Sequence, residues 1–216
     1  MSDSHEQSAG GFEHIYQPGK PGTPASATTL LLLHGTGGDE NDLVALGRQL
    51  APESGLLSPR GKVLEGGVSR RFFRRLAIGE LDIPDLLART DELADFVNAS
   101  AGTYGFDPTR IVALGFSNGA NIATSLLFRH PGLLSGAALL RPMLPYEPDP
   151  GLSLNNTRVF VAAGGQDPYV PPGQSRQLAE VLTDAGATVE LRMEDSAGHG
   201  LTQGDFQALS SWLASS

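Results

Sequence analysis

Arg110-Ile111-Val112-Ala113-Leu114-Gly115-Phe116-Ser117-Asn118-Gly119-Ala120-Asn121-Ile122-Ala123-Thr124-Ser125-Leu126-Leu127-Phe128 is the stretch that decides the fold. Residues 110–114, Arg110 followed by four apolar residues, read as a strand covered on both faces, and residues 118–128 mix small and apolar positions like a helix packed tightly beneath a sheet. Between them, Gly115-Phe116-Ser117-Asn118-Gly119 matches G-x-S-x-G. Alone that pattern is weak in a Gly-rich chain; a strand before it and a helix after it supply the context that gives it meaning. A serine on so sharp a turn takes strained backbone angles, and flanking glycines keep side chains from striking the adjoining strand and helix. Ser117 is therefore the expected nucleophile.

Working outward, the same alternation recurs. Residues 28–34 rise through four consecutive leucines into the Gly-rich loop 35–38, and residues 39–50 carry Leu43, Leu46 and Leu50 at helical spacing. Acidic and amide residues in the opening turn of that segment suit the positive end of a helix. Leu56-Leu57-Ser58-Pro59 ends a short strand, and an irregular segment is expected through Arg75. Residues 84–101 return to helical periodicity with Pro84 in the first turn. Strands are expected at 136–140, 159–163 and 188–193, with helices at 174–185 and 206–213. The fold class is therefore α/β, with a mostly parallel sheet, helices on both faces and no large lid domain. Residues 1–27 read as an N-terminal segment with an edge strand at 12–16 and a turn-rich link, and residues 28–216 as the core of a single domain.

A weak nucleophile such as serine needs a positioned base, and that base an anionic partner. His199, in Ser196-Ala197-Gly198-His199-Gly200, follows the last strand. Asp167, in Gly164-Gly165-Gln166-Asp167-Pro168, follows the strand before it. Taken singly, Asp167 reads equally as a turn or capping residue and His199 as a solvated loop histidine. The order Ser117, Asp167, His199, each after a strand at the carboxyl edge of the sheet, favours a triad. Asp195 is the rival acid, but it lies only a few residues before His199. His130 ends a helix, and His5 and His14 precede the sheet. His34-Gly35-Thr36-Gly37-Gly38 occupies the position of an oxyanion loop, so the Thr36 and Asn118 amides are the expected donors to a tetrahedral intermediate. A plain Gly-rich turn is the alternative. A phosphate loop is disfavoured, because its GK[ST] ending is missing.

Residues 60–75 make a basic patch in an acidic chain. Their arginines either hold an acidic substrate group or, the favoured reading, pair with acidic neighbours and cover apolar surface with their stems. Arg71, Phe72 and Phe73 are the candidates for substrate contact, with the phenylalanines left between lining an acyl pocket and anchoring the loop.

Whole-chain properties narrow the function. With 15 Lys and Arg against 24 Asp and Glu, the formal net charge is −9, which disfavours nucleic acid and anionic membrane partners. The absence of cysteine removes disulfides, a thiolate nucleophile and Cys-ligated metal. Residues 1–11 lack the basic and apolar regions of a secretory signal, so the cytoplasm is the expected location. The leucine run at 30–33 is far shorter than the roughly 20 residues of a membrane helix. A homodimer stays open.

Leu33-His34-Gly35-Thr36-Gly37-Gly38-Asp39-Glu40, the Ser117 pentapeptide, Gly165-Gln166-Asp167-Pro168-Tyr169-Val170-Pro171 and Gly198-His199-Gly200 together resemble the phospholipase/carboxylesterase group of α/β-hydrolases, which includes acyl-protein thioesterases and small bacterial carboxylesterases. The resemblance implies a triad of Ser117, Asp167 and His199, oxyanion donors at Thr36 and Asn118, and no metal or organic cofactor. Asn118 departs from the glutamine usual in acyl-protein thioesterases; a backbone donor survives the change. Residues 60–75 are more similar to small bacterial hydrolases associated with quinone stress. The expected reaction is hydrolysis of a small-molecule ester with a short or medium acyl chain through an acyl-enzyme. Thioesters and lysophospholipids are alternatives within that chemistry, and a non-catalytic binding protein is the rival class.

Overall fold

The computed structural model describes residues 11–22 and 27–215. Much of the expected N-terminal segment, His5 included, lies outside the described residues. So does the stretch read for a secretory signal, apart from Gly11.

The four leucines show how the chain builds two faces from one strand. In β2 (Thr29–Leu33), Leu31 and Leu33 enter one apolar cluster and Leu30 and Leu32 the other, and all four are fully buried. Successive side chains of a strand point to opposite faces, so a continuous apolar run requires a cover on each. The first face is covered by α2 (Ile83–Tyr104), α3 (Asn118–Arg129) and α4 (Pro172–Asp184). The second is covered by α1 (Val44–Leu50) and α5 (Gln203–Ala214), with Trp212 against Phe160.

Seven strands form the central sheet. β1 (His14–Gln17) pairs antiparallel with β3 (Gly55–Pro59), as an edge strand. β3 then runs parallel to β2, and β2 to β8 (Ile111–Phe116). β9 (Gly136–Leu140), β10 (Arg158–Gly164) and β11 (Thr188–Glu194) continue in parallel, giving the order β1-β3-β2-β8-β9-β10-β11. The loops after β2, β8, β10 and β11 therefore all leave the same edge of the sheet.

Two expectations need correction. Residues 39–43 form turns, and α1 begins at Val44 with no acidic residue in its first turn. The Asp39 side chain accepts the Asn41 N–H at 2.8 Å, and buried Glu40 is held by Arg60; both contacts compete with a helical turn. The segment after β3 is not irregular either. It forms two hairpins, β4 (Val63–Glu65) with β5 (Ser69–Arg71), and β6 (Arg75–Ala77) with β7 (Glu80–Leu81). Strands of at most three residues carry no readable alternation, although Gly66 and Gly67, at φ +58° and +76°, mark the first turn.

Candidate active site

Ser117 joins β8 to α3 at φ +52°, ψ −112°, a region that L-residues rarely adopt. Its N–H donates to Leu140 O at 2.8 Å across the sheet, and its carbonyl accepts from Asn121 N at 3.0 Å. Close backbone approach explains the glycines. A Cβ on Gly119 would strike the Leu33 carbonyl, and one on Gly115 would sit 2.5 Å from Gly119 O. With both ends pinned, the hydroxyl stands clear of the turn.

His199 and Asp167 converge on it from the loops after β11 and β10. The Ser117 Oγ–H donates to His199 Nε2 at 2.9 Å, and His199 Nδ1–H donates to Asp167 Oδ2 at 2.7 Å. Asp167 is buried, and its other oxygen accepts the Tyr169 and Val170 amides at 2.8 and 3.1 Å, which fixes the carboxylate plane. The two loops are laced by Gly165 N–H to Glu194 O at 2.8 Å and Gln166 N–H to Ala197 O at 2.9 Å. A Cβ on Gly164 or Gly165 would collide with the backbone of the His199 loop. Asp195 is exposed and makes no hydrogen bond to His199. His130 pairs with Asp91 at 2.8 Å, and His14 is buried beside Tyr104.

Arg141, which sequence reasoning missed, supports His199 from beneath. It is fully buried at the end of β9, at φ +56°, and donates to Gly198 O at 3.1 Å, Gly200 O at 2.6 Å and Asp205 at 2.7 Å. It thus grips the carbonyls on either side of His199. Although burial opposes it, hydrogen bonds from Thr202 and Arg141 hold the Asp205 carboxyl below its ordinary value. A lone charge closing the apolar run Ala137-Ala138-Leu139-Leu140 was the signal available in the sequence.

The loop after β2 is braced by the segment expected to be irregular. His34 is buried, donates from Nδ1 to Gly35 O at 2.7 Å and accepts the Gly61 N–H at Nε2 at 2.9 Å. Gly37 N–H donates to Arg70 O at 2.8 Å, and Arg71 Nη1 to Thr36 Oγ1 at 2.6 Å. Phe72 N–H donates to Asn118 Oδ1 at 2.7 Å. Asn118 opens α3, where first-turn N–H groups have no helical acceptor. The Thr36 N–H is not used in the backbone bonding of its loop among the described residues.

A cavity of about 360 Å³ opens over these groups, lined by polar Ser117, His199, Thr36, Asn118 and Arg71 and by apolar Ile78, Leu81, Phe116, Met143 and Val170. Phe72 and Phe73 do not line it. They are buried in the core, so of their two readings the structure favours the loop anchor. Most of the basic patch is paired, as the favoured reading expected: Arg60 with Glu13 and Glu40, Lys62 with Glu92, Arg74 with Asp82 and Asp85, and Arg75 with Glu65. No group of three or more His, Cys, Asp or Glu able to hold a metal occurs among the described residues.

Two outcomes are expected. Arg141→Lys keeps the charge but loses the fork that spans both carbonyls, so kcat on an ester substrate falls about tenfold or more while KM changes little; steady-state kinetics checks it. For His34, burial and the Arg70 charge push the pKa below 6.5, outweighing the Gly35 carbonyl, Asp42 and Asp39. The unfolded chain then binds a proton that the fold resists, so the stability from neutral His34 is complete above about pH 6.5 and is lost as pH falls below it, with a slope of at most about 1.4 kcal/mol per pH unit. Thermal melts between neutral and mildly acid pH are expected to show a shallower acid loss for His34→Gln than for the parent protein.

Comparison with known proteins adds the relatives. The sequence model of the family described as Phospholipase/Carboxylesterase matches residues 84–216. A Bacillus subtilis (strain 168) protein named "Putative hydrolase MhqD" is 44% identical over 201 residues, which span 93% of this chain and 97% of that protein. The crystal structure of a Bacillus cereus carboxylesterase aligns with a TM-score of 0.89 at 44% identity, covering 94% of each chain. That of a Mesorhizobium loti carboxylesterase aligns with a TM-score of 0.85 at 32% identity, covering 100% of this chain and 99% of that one. The chain therefore belongs to the phospholipase/carboxylesterase family of α/β-hydrolases.

Proposed function

We propose that this protein is a serine carboxylesterase acting on short- to medium-chain esters, with Ser117 as nucleophile, His199 as general base and acid, and Asp167 as the partner that orients His199. The observation that carries this reading is the placement of one imidazole between the Ser117 hydroxyl at 2.9 Å and the Asp167 carboxylate at 2.7 Å, inside a cavity at the carboxyl edge of the sheet. His199 Nε2 takes the Ser117 proton as Oγ bonds to the ester carbonyl carbon. The oxyanion is met by the Thr36 and Asn118 N–H groups. The tetrahedral intermediate collapses, His199 returns the proton to the departing alcohol, and a water deprotonated by His199 then releases the carboxylic acid from Ser117. A cavity of about 360 Å³, at the small end of ligand pockets, suits short or medium acyl groups. A thioester or lysophospholipid is hydrolysed by the same steps.

A panel of p-nitrophenyl esters of increasing chain length, run on the protein and on Ser117→Ala, tests the reading. Turnover is expected to favour the shorter chains and to fall by about 10⁶ in kcat in the variant. Equal turnover by the two proteins overturns the assignment of Ser117.

A further inference from the structure

Arg71 is the one buried cation of the basic patch; its neighbour Arg70 also lacks an ion pair among the described residues but is partly exposed. Arg71 ends β5 on the cavity wall, is only 4% exposed, and has no carboxylate within 4.0 Å among the described residues. The nearby Glu65 is committed to Arg75, which it bonds at 2.8 and 2.9 Å. Arg71 Nε donates to Phe73 O at 3.1 Å and Nη1 to Thr36 Oγ1 at 2.6 Å, and both acceptors are neutral. Nη2 has no acceptor among the described residues and is not one of the fully buried unpartnered polar atoms, and Arg71 lines the cavity. Burial, reinforced by the Arg75 charge, pushes the guanidinium down to about 10, against the pull of Glu65. It is still charged at neutral pH. A desolvated cation is costly unless an anion meets it, and a planar guanidinium fixed at Nε and Nη1 presents Nη2 in a set direction.

From this geometry we propose that Arg71 binds a carboxylate carried by the substrate, so that the preferred esters are half-esters of small dicarboxylic acids, with the free carboxylate on Arg71 while the ester carbonyl lies at Ser117. This rests on the ester-hydrolysing reading of the same cavity. The net charge of −9 repels anions at long range, so any preference for them arises from contact inside the cavity. Arg71 also braces Thr36, and a purely bracing role predicts an equal effect on every ester.

The test compares the mono-p-nitrophenyl esters of succinic, glutaric and adipic acid with the same molecules capped as methyl esters at the free carboxylate. In the parent protein kcat/KM for the best half-ester is expected to exceed that of its capped partner by about 10- to 100-fold, the range for a hydrogen bond to a charged group. Arg71→Gln is expected to bring that ratio to one or below, and Arg71→Lys to keep part of it. Calorimetric binding of glutarate to the Ser117→Ala protein, present with Arg71 and lost in the Ser117→Ala/Arg71→Gln double variant, reads the same contact without turnover. A parent ratio near one, or an Arg71→Gln variant that slows both ester types equally, overturns the proposal. So does glutarate binding that is absent or indifferent to Arg71. Binding that depends on Arg71 in a protein that hydrolyses no ester supports the anion site and overturns the esterase reading instead.

Discussion

The structure depends on a backbone contact with no room for a side chain. Gly119, in the first turn of α3, lies against the Leu33 carbonyl at the end of β2, and Gly115 lies against Gly119. That contact lets the chain reverse from strand to helix within one residue and leaves Ser117 at φ +52°. Backbone strain of this kind costs on the order of 1–3 kcal/mol and persists only where the surroundings hold it in place. Here they do, through the Leu140 and Asn121 bonds and a helix whose buried face is fixed in the core.

Around that elbow the protein adds supports from distant parts of the chain. Residues 60–75 reach His34, Thr36, Gly37 and Asn118, the loop and helix start that carry the proposed oxyanion donors. Arg141 reaches the carbonyls on both sides of His199, and glycines 164 and 165 let the Asp167 loop lie against the His199 loop. Preorganisation of this sort holds the proposed donors and base in place before substrate arrives, which is where most catalytic stabilisation originates. Arg71 links the two themes, since its guanidinium holds Thr36 and the residue lines the cavity.

The central architecture was legible because it rests on local rules. The four leucines announced a strand covered on both faces, and the small residues around Ser117 announced the tight junction. The order of Ser117, Asp167 and His199 along the chain placed each after a strand, and the structure brings all three together. What stayed hidden depends on tertiary contacts. The β4-β5 and β6-β7 hairpins are too short for a two-residue period to show, and the start of α1 was lost to side-chain contacts of Asp39 and Glu40 that helix propensity does not weigh. Phe72 and Phe73 could equally have faced a pocket or the core, and only their surroundings separate the two. The basic patch could not be divided by sequence into its paired cations and the unpaired Arg70 and Arg71, because its acidic partners come from as far away as Glu13 and Glu92.

The central claim is that the strained turn presents Ser117 as an activated nucleophile to His199. Incubation of the folded protein with a fluorophosphonate, followed by digestion and peptide mass mapping, tests it without assuming a substrate. The account predicts one adduct, on Ser117, abolished by heat denaturation before labelling. Absence of an adduct in the folded protein, or an adduct on another serine with Ser117 untouched, would contradict it.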